Sequence, residues 1–309
     1  MPLPETQQVF ERERRRLAGL AYRMTGSVSE TEDILQDAAL KLQTVGLSGI
    51  ERPAQWLSTV VTRLCLDHLR SAQKRRETYV GAWLPEPIVT DHAADAESDW
   101  ILTEDVGIAL LLTLDRLSPE MRAAFILRDG FDYSFDEISA VVGQSSANCR
   151  QLVSRARRKL AGADQSTPER AEETHPLVAA FWAASREGDM DRLLEVFAED
   201  IEVHTDGGGK VPAAINVLRG SRNAARFFEG LARKGKLTNG PVPRQQLING
   251  ATGYVVRENG VLQTTAFAVH SGKIKAIWIV RNPEKLRHVH PAEEGFPSEG
   301  SRAPCCSAD

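Results

Sequence analysis

From Ser134 to Leu160 the chain reads SFDEISAVVGQSSANCRQLVSRARRKL, with no carboxylate between Glu137 and Asp164. Arg150, Gln151, Ser154, Arg155 and Arg158 are the side chains here that can do chemistry. Arginine forks, amides and hydroxyls hydrogen-bond phosphate oxygens and the edges of bases. To act together they must share an exposed surface, and the surrounding residues supply the elements for it. Ser134 and Glu137 form a capping box that opens a helix, and Ile138, Val141 and Val142 follow at helical spacing. Gly143 suits a left-handed C-terminal cap, and Ser145 or Ser146 can cap the next helix. In that second helix Cys149, Val153, Ala156 and Leu160 form an inward stripe. The layout is a helix-turn-helix whose second helix enters a major groove. A solvated basic face on an ordinary helical hairpin is the other reading, and it leaves the agreement of caps, turn and charge unaccounted for.

Other reactive groups are sparse. His204 and Asp206 lie two apart, on one face if the strand persists, which could make an acid–base pair. Asp206, however, begins DGGGK, whose glycines point to a loop with close backbone approach. Four cysteines make no disulfide framework. Cys65 and Cys149 sit in apolar helical stripes, while Cys305 and Cys306 are adjacent in a polar tail without histidine or further cysteine nearby. No metal, cofactor or catalytic residue is expected.

The net charge of −4 over 309 residues looks wrong for a nucleic-acid binder until its distribution is considered. Arg63, Arg70, Lys74, Arg75 and Arg76 gather at the end of one segment, interrupted by Asp67. Between Arg76 and Arg116 there is no Lys or Arg, whereas acidic residues recur from Glu77 to Asp105. The patches matter more than the sum. The N-terminus lacks the apolar core of a signal peptide, and no apolar run reaches the length that spans a bilayer. A cytoplasmic protein without membrane contact is expected.

Periodicity and breakers divide the chain into an all-α unit over 1–76, an acidic linker over 77–99 and a second all-α unit over 100–163. A polar linker over 164–174, an α+β unit over 175–290 and a disordered tail over 291–309 follow. Helices are expected near 6–25, 27–42, 54–74, 176–186, 190–197 and 219–233. In the third unit the runs IEVH, VPRQQLING, ATGYVVREN, VLQTTAFAVH and KIKAIWIV read as strands, with turns at Asn259-Gly260 and Ser271-Gly272. The expectation is a curved antiparallel sheet cupped over helices.

With these pieces placed, the first two units resemble an RNA polymerase sigma factor of the extracytoplasmic-function type. SETEDILQDAALKL resembles the region 2 helix that grips the polymerase clamp, and WLSTVVTRLCLDHLRSAQKRR resembles the promoter-melting helix. The third unit resembles the SnoaL-like fold, related to the nuclear transport factor 2 cone. WLPEP (Trp83, Leu84, Pro85, Glu86, Pro87), DGGGK (Asp206, Gly207, Gly208, Gly209, Lys210) and NPEKL (Asn282, Pro283, Glu284, Lys285, Leu286) place the chain with the sigma-J-like subfamily, which carries this extension.

The resemblance implies partners and roles. Core RNA polymerase would meet Asp33, Gln36 and Asp37, which share one face of a helix. Promoter DNA would meet Arg150, Gln151 and Arg155 through bases, and Ser146, Asn148 and Arg158 through phosphates or bases, at the −35 element. Arg63, Arg70, Lys74 and Arg75 would give the −10 element its electrostatic surface. The acidic linker would thread a polymerase cleft or serve as a flexible tether. WLPEP, DGGGK and NPEKL would form a contact through which the cone regulates the helical units in cis. Cones of this kind also hold small ligands or run cyclase and isomerase chemistry, so an unidentified small ligand is a further expected partner. A DNA-binding regulator fused to a ligand-binding or enzymatic domain is the competing class.

Overall fold

The structure is a computed structural model that describes residues 4–76, 79–90, 107–161, 171–237 and 242–290, with backbone alone at 72–76 and 171–173. The expected linker beyond Thr90, the expected start of the second helical unit near Trp100, the side chains of Lys74 and Arg75, most of 164–174 and the tail with Cys305 and Cys306 lie outside these residues.

Three helices open the chain: α1 (Glu5–Thr25), α2 (Val28–Val45) and α3 (Pro53–Arg76). Gly26 ends α1 in the left-handed region (φ 69°), where an L side chain is disfavoured, and Ser27 caps α2 by accepting from the Glu30 N–H. A two-residue strand, β1 (Val89–Thr90), follows. Then come α4 (Ile108–Asp115), α5 (Pro119–Phe125) with a π-helical turn at Ile126–Gly130, α6 (Phe135–Val142) and α7 (Ser146–Leu160). The Ser134/Glu137 capping box forms, Gly143 adopts φ 74°, and Ser145 rather than Ser146 caps α7.

The two helical units are not beads on a tether. Leu17, Leu20, Met24, Leu57, Val61 and Leu69 of the first unit join Leu111, Leu114, Ala123, Leu127, Ile138 and Val153 of the second in one continuous buried core. Arg122, 4% exposed, welds the joint: its guanidinium donates to the carbonyls of Leu114 (2.9 Å) and Met24 (2.6 Å) and to Asp115 (2.9 Å).

The third unit comprises α8 (Ala171–Glu187), α9 (Met190–Val196), β2 (Phe197–Asp206), β3 (Leu218–Arg219), α10 (Ser221–Arg233), β4 (Gln245–Ile248), β5 (Ala251–Glu258), β6 (Val261–His270) and β7 (Lys273–Val280). α8 begins before Pro176, the expected start, so that proline lies inside the helix. The strand order is β1-β4-β5-β6-β7-β2-β3. All pairs are antiparallel except β2 and β7, which run parallel, from Glu202↔Ala276 to Asp206↔Val280. The fully antiparallel expectation is therefore corrected. Alternating side chains give each strand's faces and not its direction, and hairpins from β4 to β7 bring the last strand beside the first with the same sense.

One face of the sheet packs on α8–α10 through aromatic rings. Phe181 meets Phe228 and Phe267 edge-on, at centroid distances of 4.9 and 5.2 Å. The opposite face carries Ile248, Ala251, Val255, Ala266, Trp278 and Val280. It is covered by Leu84, by Leu286 and Val289, and by Ile108, Ala109 and Leu112 of α4. The helical body thus docks on the back of the cone, and the chain around Leu84 lies between them.

Candidate functional site

On α7, Arg150, Gln151, Arg155 and Arg158 are exposed, opposite the buried stripe of Cys149, Val153, Ala156 and Leu160. Ser146 and Asn148, at the start of the helix, are half-buried and already engaged. The Ser146 hydroxyl donates to Asp136, and the Asn148 amide donates to Gln144 Oε1 at 2.8 Å. Arg157, on the same helix, is held by Asp129 through two bonds of 2.6 and 3.0 Å.

The α3 arginines are exposed but committed to the second helical unit. The Arg63 guanidinium donates to the carbonyl of Ala140 at 2.8 Å, and Arg70 pairs with Glu120 at 3.2 Å. Nearby, the Gln55 amide donates to Glu137 Oε1 at 2.7 Å, with Arg52 3.9 Å from the same oxygen. Glu137 thus serves its own helix cap and the joint at once. Hydrogen bonds from the Ser134 N–H, from its hydroxyl and from Gln55, with the Arg52 charge nearby, hold its carboxyl below the usual glutamate range. On α2, by contrast, Asp33, Gln36 and Asp37 are exposed together with Leu40, which is 53% exposed.

WLPEP, DGGGK and NPEKL meet at one place. Asp206, at the end of β2, is fully buried. Its Oδ2 accepts from the Leu84 N–H (2.9 Å) and from Lys285 Nζ (2.8 Å). Its Oδ1 accepts from the Tyr79 hydroxyl (2.6 Å) and the Gly208 N–H (2.9 Å). The Lys285 ammonium also donates to the Leu84 carbonyl and sits over the rings of Trp83 (4.4 Å) and Tyr79 (5.1 Å). Burial, and then the Asp206 carboxylate, push the Tyr79 phenol up. Gly208 takes φ 59°, and a Cβ there would collide with the Asn282 amide. Lys210 pairs with Glu284, while Leu286 is buried on the back of the sheet. The charged pair is enclosed, with four hydrogen bonds to the carboxylate and two oxygens and two rings around the ammonium, the condition under which a buried ion pair holds.

The other end of WLPEP grips the helical body. Glu86, 7% exposed, covers the N-terminus of α2. Its Oε2 accepts from the N–H groups of Val28 (2.8 Å) and Ser29 (3.0 Å), and its Oε1 from the hydroxyls of Ser27 and Ser29. The Glu86 N–H returns a bond to the Gly26 carbonyl (2.9 Å). Trp83 lies so close to Gly26 that a Cβ on that glycine would stand 2.6 Å from the indole. Asn249 completes the joint: its amide donates to Tyr22 Oη at 2.7 Å and accepts from the Ile88 N–H at 3.2 Å, and the Tyr22 hydroxyl donates to the Glu86 carbonyl at 2.7 Å. β1 then adds to the sheet edge, Val89 opposite Ile248. The stretch 79–90, part of the expected acidic linker, is a strap with one face on each body.

Tyr22, Tyr79, Arg122 and Asn249 were not singled out by sequence reasoning. Only Asn249-Gly250 carried a local signal, the hairpin dipeptide. His204 does not pair with Asp206; its Nε2 lies 3.0 Å from Glu202, and burial lowers its basicity. On the helix-packed face of the cone, Arg186 and Glu258 form a buried ion pair beside Trp182. Among the described residues there is no group of His, Cys, Asp and Glu able to hold a metal ion, and no helix long and apolar enough to cross a membrane.

Residues 9–75 match the model of sigma-70 region 2, and residues 108–160 match that of sigma-70 region 4. The chain is similar to the extracytoplasmic-function RNA polymerase sigma factor SigJ of Mycobacterium tuberculosis (strain ATCC 25618 / H37Rv). The two are 38% identical over 291 residues, covering 90% of this chain and 92% of that protein. A probable sigma factor, SigI of Mycobacterium tuberculosis (strain CDC 1551 / Oshkosh), is 35% identical over 187 residues, 58% of this chain and 62% of that protein. The crystal structure of Mycobacterium tuberculosis SigJ superposes with a TM-score of 0.73 at 35% identity, covering 91% of this chain and 98% of that one. A helix-turn-helix with a basic face, an exposed acidic face on α2 and this likeness through all three units lead to one assignment: the chain belongs to the extracytoplasmic-function sigma factors, which bind core RNA polymerase and direct it to promoter DNA.

Proposed function

We propose that the SnoaL-like cone controls this sigma factor in cis, by using the strap at 79–90 to hold regions 2 and 4 together. The single observation that carries this reading is the enclosed Asp206–Lys285 pair, whose partners Tyr79 and Leu84 both belong to the strap. By their positions the −10 and −35 elements are centred about 25 base pairs apart, about 85 Å of duplex at 3.4 Å per pair. Two regions sharing one hydrophobic core do not span that distance, so the compact arrangement is a resting state that must open on the polymerase. Until it opens, Arg63 and Arg70 of the −10 surface are occupied by Ala140 and Glu120.

In the opened state α7 reads the −35 element through Arg150, Gln151 and Arg155, with Arg158 on phosphate. Ser146 and Asn148 join them once released from Asp136 and Gln144. Arg63, Arg70, Lys74 and Arg75 face the −10 element, and Asp33, Gln36 and Asp37 meet the polymerase. The working units are 1–76, 100–163 and 175–290. The chain acts with the polymerase in the cytoplasm and leaves the chemistry to it; Asp206, the acid a catalytic pair would need, is spent on the strap. Run-off transcription with the full chain, with a truncation after Asp164 and with Asp206→Asn tests the reading. Both variants should alter promoter-directed output at equal binding to core polymerase; wild-type output from both would remove it.

A further inference from the structure

The exposed side chains of α7 are not equally ordered. The Arg150 guanidinium lies over the ring of Phe135, 5.2 Å from its centroid, and Arg128 lies 5.1 Å from the same centroid. Arg128 is itself fixed, donating to the Tyr133 carbonyl at 2.9 Å. Phe135 is the first residue of α6, directly behind the capping box that anchors that helix. It is half-buried and packed against the common core of the helical body. Arg155 and Arg158 are exposed, and no ring or carboxylate among the described residues holds either one.

We propose that Phe135 is a positioning residue for Arg150, and that it makes Arg150 the most discriminating arginine of α7 while Arg158 supplies affinity. The inference rests on the reading of α7 as the −35 recognition helix and divides the labour within it. Reading a base edge needs two parallel N–H bonds in a fixed plane, so an arginine already held against a ring loses less freedom when it docks. A phosphate oxygen accepts from almost any approach and needs no such order. A ring beneath the guanidinium engages its charge through the π face and leaves N–H edges free for a base. Phe135 touches no DNA itself; it acts through the orientation of Arg150.

The experiment measures binding of the holoenzyme, formed from the full chain, to a promoter fragment and to fragments with single substitutions in the −35 element, at several salt concentrations. Arg150→Ala should lose discrimination at one base pair, and Arg158→Ala should weaken all fragments alike with a shallower salt dependence. Phe135→Leu should reduce the discrimination at the Arg150 position by about two- to five-fold, the strength of an exposed cation–π contact, with the salt slope unchanged. Phe135→Tyr should restore it. If Phe135→Leu weakens every fragment equally, or discriminates like the parent while Arg150→Ala does not, the positioning role is overturned with the recognition helix intact. If none of the arginine variants changes promoter binding, the recognition helix itself is wrong. Thermal unfolding of each variant guards against loss of fold. Should Phe135→Leu fail to fold, Phe135→Tyr and Arg150→Lys decide: the first must keep and the second must lose the discrimination.

Discussion

At the level of single residues, the strap depends on a few side chains with no substitute. Asp206 accepts four hydrogen bonds and neutralises Lys285, so removing its charge leaves a buried ammonium against two rings. Breaking one side of such a pair costs about 3–5 kcal/mol. Asp206→Asn should therefore free the strap while α1–α7 stay folded, seen as faster proteolysis near Tyr79 with unchanged far-UV circular dichroism. A strap as protected as in the parent would contradict this. Gly26 offers an independent probe from the other body. Alanine there meets the left-handed φ of 69°, about 1–2 kcal/mol for an L residue, and its Cβ displaces Trp83. Gly26→Ala should lower the unfolding midpoint and shift tryptophan emission to the red. Emission and midpoint equal to the parent would mean that the indole does not rest on Gly26.

At the level of elements, the contact of α3 with α6 decides, on the proposed reading, whether the −10 surface is available. Glu137 holds that contact through Gln55 while capping α6, and its carboxyl is depressed when folded. A depressed carboxyl contributes stability above the unfolded value, about 4.3 for glutamate, and that stability fades as pH falls through the folded value. The contact should persist at pH 5 and loosen only once the pH falls below the ordinary glutamate value, followed by energy transfer between labels on α3 and α6. Loosening between pH 5 and 7 would point to another group. The proposed reading gives Arg63 two duties, so Arg63→Ala should loosen the same contact in the free protein. In the holoenzyme it should reduce the salt slope of promoter binding by about 0.7–0.9, one phosphate's share. These elements were legible because their signals are local: the Ser134/Glu137 box, Gly143 and the stripe from Cys149 to Leu160 all lie within one short stretch. The meeting of WLPEP with DGGGK and NPEKL was legible only through resemblance to a family. The Tyr22–Asn249 and Met24–Arg122 contacts were not legible at all. They join positions 227 and 98 residues apart, and nothing in the neighbouring sequence records such a pairing.

At the level of the whole molecule, the chain keeps two surfaces in different states. The α2 face with Asp33, Gln36, Asp37 and Leu40 is open to a partner, whereas the α3 arginines are held by region 4. On the proposed roles of these two surfaces, engagement of the polymerase precedes engagement of the promoter, and opening is the step between them. A population argument sets the scale: a ligand that turns a 1:99 equilibrium into 99:1 must favour the open form by about 5.5 kcal/mol. Many contacts spread over a polymerase surface can supply that difference. If opening is obligatory, a covalent tie across the α3–α6 contact should separate the two engagements. Cysteines replacing Gln55 and Glu137, joined by a short bis-maleimide in a chain with Cys305 and Cys306 changed to serine, provide the tie. The joined protein should still co-purify with core polymerase, since α2 is untouched, and should give no promoter-directed transcript. The same double variant without the linker should transcribe, because it has lost only a hydrogen bond and a cap. Full transcription from the joined protein would mean that the compact arrangement is already the active one.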